Sequence, residues 1–220
     1  MPSRNIIKTY IEGGYYHIYN RGVEKRDIFL DENDCKIFLH YIKLYLSPIE
    51  EILKAYPDNV RIRRFTRLNL AKEVDLLCFS LMPNHFHFLV KQKNKDGIIK
   101  FMRRLMTSYV MYFNKKNNRV GTLLQGRYKA INVDKDEYLL HLTRYIHLNP
   151  FELKSKNISF KNFSSYKYYL GTKQASWVKP EEILEYFSFK SKKYKISTYK
   201  NFVEDSLLNS KEILGELSLD

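Results

Sequence analysis

The chain of 220 residues is 44% hydrophobic and 15% aromatic, which suits one packed domain with an extension and excludes global disorder. Its two cysteines, Cys35 and Cys78, show no CxxC spacing, so a disulfide framework and a zinc ribbon are excluded and a reducing cytoplasm is expected. Thirty-eight lysines and arginines against 24 acidic residues give a net charge of +14, which favours a nucleic-acid partner over a basic protein without a polyanionic partner.

The first predicted elements are a strand and a helix. In GGYYHIYNRG (13–22) the side chains alternate, so that Tyr15, His17 and Tyr19 share one face of a strand. DENDCKIFLHYIKLYLSP (31–48) has an acidic start, an apolar stripe at helical spacing and a terminal proline, which together predict a helix. The stretch 46–73 is charged and is predicted only as an insertion of helix or loop. Four arginines in it form either a solvated face or an added DNA contact: Arg61, Arg63, Arg64 and Arg67.

A hairpin, a helix and another strand follow. VDLLCFSLM (74–82) and HFHFLVKQ (85–92) are predicted as antiparallel strands joined by a turn. Asp96 is the expected N-cap of an amphipathic helix over residues 97–116. GTLLQGRYKAINVD (121–134) predicts a strand with a glycine kink at Gly126.

The last clear element is the helix DEYLLHLTRYIHLNP (136–150), which Asn149-Pro150 is expected to end. The order is β-α-β-β-α-β-α, and its first six elements match the split βαβ arrangement of ferredoxin-like folds. We therefore predict an α+β fold, a ferredoxin-like βαββαβ sandwich with one additional helix. Residues 1–150 are assigned to this domain and residues 151–220 to a small helical C-terminal extension, whose packing on the core stays open.

Two histidines interrupt the apolar stretch LMPNHFHFLV (81–90). Strand alternation sends Phe86 and Phe88 to the core face, and His85 and His87 to the other face. Two imidazoles on one face, two residues apart, can bind the same metal ion. The same spacing also fits histidines that are hydrogen-bonded to neighbours, so this pattern leaves both interpretations open.

The helix over 136–150 offers partners for these histidines. His141, Tyr145 and Asn149 follow one another at intervals of four residues and therefore lie on one helix face. An ion held by both histidines and the Asn149 amide would lie beside the Tyr145 hydroxyl, with open coordination positions that suit Mg²⁺ or Mn²⁺. Tyr145 is then either a nucleophile that attacks a polarised electrophile or a ring that packs on the sheet.

Three motifs, LMPNHFHFLV, LLQGRYKA and YLLHLTRYIHLNP, resemble in order and spacing those of the single-tyrosine HUH transposases, within the IS200-like transposase superfamily. HUH stands for His-hydrophobic-His. The sequence is most similar to the REP-associated tyrosine transposase branch, over about residues 10 to 170. The resemblance implies the ferredoxin-like fold. The sequence departs from the family in the longer region before LLCFSLMPNH.

The resemblance also implies roles for four residues. His85, His87 and Asn149 would hold a divalent cation, Mg²⁺ or Mn²⁺. Tyr145 would attack single-stranded DNA and become joined to its 5′ phosphate, releasing a 3′ hydroxyl. Relatives from insertion sequences often carry glutamine at the third ligand position, so Asn149 points to the REP-associated branch.

DNA contacts are expected on the predicted strand over residues 121–134. Gln125, Arg127 and Lys129 share one of its faces, and Arg127 is favoured as a contact to a phosphate or a base edge.

Three polar residues are expected to have ordinary structural roles. His17 is interpreted as a hydrogen-bonded histidine and Asn84 as a residue of the turn. His141 could reach the site as a proton acceptor, but it is interpreted as helix surface.

We therefore predict a metal-dependent tyrosine transposase. It would cleave and rejoin single-stranded, hairpin-bearing DNA through a 5′-phosphotyrosine intermediate, in DNA transposition or REP-element processing. The alternative is a catalytically silent binder of structured DNA or RNA on the same fold. No apolar run approaches the roughly 20 residues of a membrane helix, and the first residues lack the apolar segment of a signal peptide. We expect no membrane association, a bacterial cytoplasmic location at the nucleoid when DNA is bound, and leave open whether the protein forms a homodimer.

Overall fold

The computed structural model describes residues 10–153, 158–188, 198–205 and 210–215. Four antiparallel strands form one sheet in the order β2-β3-β1-β4. The strands are Tyr15–Arg21 (β1), Val74–Met82 (β2), His85–Gln92 (β3) and Lys129–Val133 (β4).

Helices α1 and α4 connect the strands, and helix α5 follows the last strand. The bounds are Glu32–Leu46 (α1), Ile49–Ala55 (α2), Val60–Thr66 (α3), Gly97–Lys116 (α4), Asp136–Glu152 (α5), Tyr166–Tyr169 (α6), Glu181–Leu184 (α7), Tyr199–Glu204 (α8) and Ser210–Leu214 (α9). The predicted α+β fold, a ferredoxin-like βαββαβ sandwich with an additional helix, is confirmed. The described part of the predicted insertion over 46–73 contains α2 and α3.

The central strand β3 is buried on both faces. Phe86, Phe88 and Val90 of β3 pack in a core with α1 and α4, as the alternation of β3 predicts. On the opposite face Leu89 packs with α5 and with the described parts of the C-terminal region. The face with the histidines is therefore covered by α5.

Two predicted boundaries are wrong. The strand expected over 121–134 is regular only from Lys129, because Gly126 adopts a φ of 79° and Leu124 makes only an isolated bridge to Gly22. Helix α5 continues past Pro150 to Glu152, so Asn149-Pro150 does not end it. A proline removes a single backbone donor, and so close to the helix end this loss is tolerated.

The N-cap expected at the start of α4 also differs. The side chain of Asp96 makes no capping hydrogen bond, and the backbone N–H of Ile98 instead donates to Oε1 of Gln92 at 2.9 Å. A side chain from the end of β3 thus satisfies one of the unpaired amide groups of the first helical turn.

The C-terminal region is attached to α5 through buried polar groups. Arg144 donates to the backbone carbonyls of Phe202 and Asp205 and to the hydroxyl of Ser210. Because a guanidinium has five donors and no acceptor, it can hold several segments at once. Parts of both predicted regions, 1–150 and 151–220, lie outside the described residues, so the domain division stays a prediction.

His147 forms a second buried attachment. Its Nδ1 lies 2.7 Å from the Tyr199 hydroxyl, and its Nε2 lies 2.7 Å from Oγ of Ser165 and 3.2 Å from Sγ of Cys78. Burial lowers the pKa of His147 to about 3, so the ring is neutral at pH 7.

None of the helices in the described ranges combines the length and the apolar character that a membrane-spanning segment needs.

Acid should destabilise the fold through His147. Its folded-state pKa lies below the ordinary value of 6.5. Its contribution to the free energy of unfolding is therefore fully present above pH 6.5 and is lost as the pH falls towards 3. One pH unit corresponds to about 1.4 kcal/mol. Between pH 7 and pH 4 the free energy of unfolding should therefore fall by about 3 kcal/mol more in the wild type than in His147→Gln. Urea unfolding at a series of pH values measures this difference, and equal pH slopes would contradict it.

Gly22 should not tolerate a side chain. A Cβ at this position would lie 2.1 Å from the backbone oxygen of Arg26, and backbone cannot give way as a flexible side chain can. We expect Gly22→Ala to cost about 2–3 kcal/mol in the free energy of unfolding. Gly121→Ala is the control, since its Cβ would meet nothing within 4 Å and only its φ of 93° adds strain. Thermal unfolding compares the two, and an equal or smaller loss for Gly22→Ala would contradict the prediction.

Candidate active site

Two histidines of the central strand β3 form the base of the site. His87 is fully buried and His85 is 8% exposed. Strand pairing places Arg21 of β1 opposite His85 and Tyr19 of β1 opposite His87. The two imidazole centroids are 4.9 Å apart, so both rings share one small region under α5.

The proton of His85 is positioned by Asn84. The amide nitrogen of Asn84 donates to the carbonyl of Lys25 at 3.0 Å, so its Oδ1 is the acceptor that lies 2.6 Å from Nδ1 of His85. His85 therefore carries its proton on Nδ1, and Nε2 has the lone pair that a metal ion needs.

The second histidine is bonded in the same way by His17. Nε2 of His17 lies 2.9 Å from Nδ1 of His87, and the rings stack with centroids 5.2 Å apart. Both rings are fully buried. When the proton of this hydrogen bond belongs to Nδ1 of His87, the lone pair of His87 is on Nε2, as in His85.

Nε2 of His87 is buried and has no hydrogen-bond partner among the described residues. Burial first, and then the charges of His17, His85 and Arg21, hold the pKa of His87 well below its usual value. The ring is therefore neutral and can act as a ligand at neutral pH. An orphaned buried nitrogen is costly, and a cation at this atom would remove the cost. The residues thus fit a divalent metal ion.

Tyr145 lies over these rings from α5. Its own ring meets His87 edge-on, with centroids 5.5 Å apart, and meets His17 at 6.5 Å. The side chain is 2% exposed and belongs to the core between α5 and the sheet. Asn149 is 5% exposed and lies one helical turn further along α5, and its contact with the histidines stays a prediction.

Tyr19 and Lys129 extend the site towards the edge strand β4. Burial first, and then the charge of Tyr145, raise the pKa of Tyr19, whose ring centroid lies 6.1 Å from that of His87. The ammonium of Lys129 lies 5.7 Å from the centre of the Tyr19 ring. A cation and an aromatic ring therefore stand at the open side of the site.

The other predicted DNA contacts lie further along the same edge. Gln125 and Arg127 are exposed, but they precede β4 and do not share a strand face with Lys129. The positive φ of Gly126 between them breaks the alternation on which that expectation depended. Their contact with DNA stays a prediction.

The insertion lies on the α1 side of the sheet. Phe65 of α3 packs against Tyr41 and Tyr45 of α1, in the core that faces away from Tyr145. Its arginines Arg61, Arg63 and Arg67 are exposed, while the side chain of Arg64 lies outside the described residues. Arg61, Arg63 and Arg67 are therefore not part of this site.

Two residues of the site were underestimated from the sequence. His17 is hydrogen-bonded as predicted, and its partner is the candidate ligand His87. Asn84 precedes β3, and its side chain also bonds to His85. The alternation that joins His17 with Tyr15 and Tyr19 indicated the face, but no pattern indicated the partner. His141 is not helix surface: it is 7% exposed and its Nδ1 lies 3.2 Å from Oγ of Ser210.

The candidate ligand set is small. Across the described ranges, no group of three or more histidine, cysteine, aspartate or glutamate side chains is arranged to hold a metal ion. A site here would have two imidazoles and needs an amide oxygen such as that of Asn149, with open positions for water or substrate.

Comparison with known proteins adds a match to one family. Residues 50–149 match the model of the family described as "Transposase IS200 like". No curated protein matches the sequence significantly. A solved structure described as a REP-associated tyrosine transposase bound to a REP hairpin is 16% identical with a TM-score of 0.49, over 80% of this chain and 91% of that one. A putative transposase from Deinococcus radiodurans R1 is 13% identical with a TM-score of 0.35, over 66% of this chain and 95% of that one.

The similarity to this family rests on the sequence match, since both structural likenesses are weak. The matched range begins in α2 and ends at Asn149, so it contains both histidines of β3 and Tyr145. It also contains all three motifs that carry the resemblance up to Asn149. Over residues 50–149 the chain is therefore similar to the IS200-like transposases.

Proposed function

We propose that this protein is a metal-dependent tyrosine transposase that cleaves and rejoins single-stranded, hairpin-bearing DNA, in DNA transposition or REP-element processing. The match of residues 50–149 to the model of a transposase family supports the general function. The observation that carries the chemistry is the edge-on contact of Tyr145 with His87, whose Nε2 is buried and has no hydrogen-bond partner in the described part of the chain. The contact brings the tyrosine ring next to a histidine that can bind a metal ion.

His85, His87 and Asn149 would hold the ion, Mg²⁺ or Mn²⁺. When bound, such an ion polarises the scissile phosphate and stabilises the charge that develops on its oxygens. His17 and Asn84 orient the two ligand rings, because each occupies Nδ1 and so directs Nε2 to the ion.

Tyr145 is the nucleophile in this proposal. Its hydroxyl oxygen forms a bond to phosphorus and loses its proton, and the bond from phosphorus to the 3′ oxygen breaks. The leaving oxygen takes up a proton and becomes a 3′ hydroxyl, while the 5′ phosphate stays on the tyrosine. No external energy is needed for joining, because a 3′ hydroxyl can attack the phosphotyrosine and reverse the step.

The charge of the chain suits this substrate. Lysines and arginines exceed acidic residues by 14, and the exposed Gln125, Arg127 and Lys129 stand on the open edge of the sheet beside the site. We assign them to the DNA backbone or to base edges. The hairpin and the REP-associated branch are inferred from the motifs and from asparagine at position 149. The cytoplasm, at the nucleoid when DNA is bound, is the expected location.

The rival is a binder of structured DNA or RNA without chemistry. Its sheet would need to be open for stacked bases, whereas the face with the histidines is covered by α5. Tyr145 and both histidines come from one chain, and a homodimer stays a prediction. Binding without cleavage in either metal would favour the rival.

Tyr145→Phe should abolish covalent attachment. A labelled palindromic single strand from the DNA next to the gene is incubated with Mg²⁺ or Mn²⁺, and the adduct is resolved on a denaturing gel. Loss of the hydroxyl should reduce the adduct at least about a thousandfold, since no nucleophile remains, and binding should persist. Tyr138→Phe on the same helix is the control and should keep the adduct.

Tyr19→Phe tests whether Tyr19, the neighbouring tyrosine, is the nucleophile instead of Tyr145. If Tyr145→Phe still forms the adduct and Tyr19→Phe does not, the nucleophile is wrongly assigned. A wild type that binds the strand but forms no adduct in either metal would contradict the proposed chemistry.

His17 and Asn84 should support metal binding. We expect His17→Leu and Asn84→Ala each to weaken Mn²⁺ binding about 10–100-fold, because the ligand rings lose the groups that fix their tautomers. Titration calorimetry and the electron paramagnetic resonance signal of free Mn²⁺ measure this without DNA. His17→Gln should recover part of the affinity, since its amide oxygen can accept from Nδ1 of His87.

His40→Ala, on α1, is the matched control and should leave Mn²⁺ binding unchanged. Unchanged binding in His17→Leu and Asn84→Ala, with the fold intact by circular dichroism, would show that neither residue orients a ligand.

A further inference from the structure

A pocket of about 450 Å³ lies between α4 and the loop before β4. One wall is a single face of α4, on which Ile99, Met102, Arg103 and Met106 follow at spacings of three and four residues. The proposed chemistry uses none of these residues. Met102 is fully buried, Ile99 is 36% exposed and Arg103 is exposed, so this face of α4 is left partly uncovered.

The opposite wall is fixed by hydrogen bonds. The hydroxyl of Tyr10 donates to that of Tyr128 at 2.9 Å, and the amide of Asn20 donates to the carbonyl of Gly126 at 3.2 Å. The positive φ of Gly126 shapes the loop between them. The pocket is therefore formed before a ligand arrives, which lowers the entropic cost of binding.

The pocket lies close to the proposed site of cleavage. The backbone N–H of Gln125 donates to the carbonyl of Arg21 at 2.8 Å, and Arg21 pairs with His85 across the strands. Two strand spacings of about 4.8 Å separate the loop from His85, or roughly 10 Å. A strand held at the site can therefore reach this pocket around the sheet edge.

The lining combines apolar and cationic groups. Met102 and Leu124 are buried, while Met106 and the Tyr128 ring are half-buried and can contact a flat ligand. Methionine adapts to irregular shapes, and an aromatic ring can stack on a base. Arg103 and the exposed Arg127 stand at the rim, where phosphate groups would pass.

We propose that this pocket holds one unpaired base of the single strand, with the adjoining phosphates against Arg103 and Arg127. The inference rests on the proposed function, because it takes single-stranded DNA as the substrate. It adds a place where sequence is read away from the reacting phosphate, since the pocket opens on the α4 side and Tyr145 lies on the other.

The test compares two probes with equal backbone charge. Fluorescence anisotropy measures binding of an oligothymidylate and of an abasic deoxyribose-phosphate oligomer of the same length, in EDTA so that no cleavage occurs. The wild type should bind the base-bearing oligomer about tenfold more tightly, as one stacked base predicts. Met106→Trp and Thr107→Trp fill the pocket and should remove most of this preference while leaving affinity for the abasic oligomer unchanged.

Met111→Trp is the matched control. It lies on the same helix and is 68% exposed, outside the pocket lining, so it should keep the wild-type preference. Thr107 is exposed, so its variant should fold even where Met106→Trp does not. Crosslinking with 5-iododeoxyuridine should attach the base to the peptide with Met106 or Tyr128.

Three results would overturn the inference. They are equal wild-type binding of both oligomers, an unchanged preference in Thr107→Trp, and crosslinks that lie only outside the pocket. The adduct assay with Tyr145 is independent of these readouts. An adduct without a base preference contradicts the pocket alone, and a base preference without an adduct contradicts the chemistry alone. A wild type that binds neither oligomer also contradicts the pocket, and the adduct assay with the palindromic strand then tests the chemistry by itself.

Discussion

The structure depends on one constraint, the burial of β3 on both of its faces. Successive side chains of such a strand point to opposite faces of the sheet, so they enter the two cores alternately. Phe86 and Phe88 satisfy the core with α1 and α4, and the opposite core receives two imidazoles and Leu89. Polar rings in such a place lose their water and need partners inside the protein.

His17 and Asn84 supply those partners, but only for one nitrogen of each ligand ring. The hydrogen bonds occupy Nδ1 of His87 and of His85, and Nε2 of His87 stays without a partner among the described residues. A purely structural role for this histidine would leave that cost uncompensated. A cation that accepts the lone pair of this nitrogen would compensate the cost. The same buried nitrogen thus accounts for a cost in the core and for the proposed metal ligand.

The helix with Tyr145 is held from its other side. Two residues of α5 next to this tyrosine form hydrogen bonds to the described parts of the C-terminal region. They are Arg144 and His147. Both contacts are buried, so they fix the rotation of α5 about its axis. The described parts of the C-terminal region therefore help to position the tyrosine.

Local periodicity predicted most of the fold. Residues two apart on a strand and three or four apart on a helix share a face whatever lies opposite, so β1, β2, β3, α1 and α4 followed from the sequence within about two residues. The same rule sent His85 and His87 to one face. Where a local signal competed with tertiary packing it was less reliable, as at Pro150, which α5 passes, and at residues 121–128, which do not form a strand.

Sequence by itself determined the strand order along the chain, the two faces of β3 and the motifs of the transposase family. Only the tertiary structure decided which side chains meet: His17 with His87, 70 residues apart, and Arg144 with Ser210, 66 apart. The physical reason is that periodicity specifies the direction of a side chain relative to its own backbone. Its partner is specified by strand register and helix packing, which depend on the whole chain.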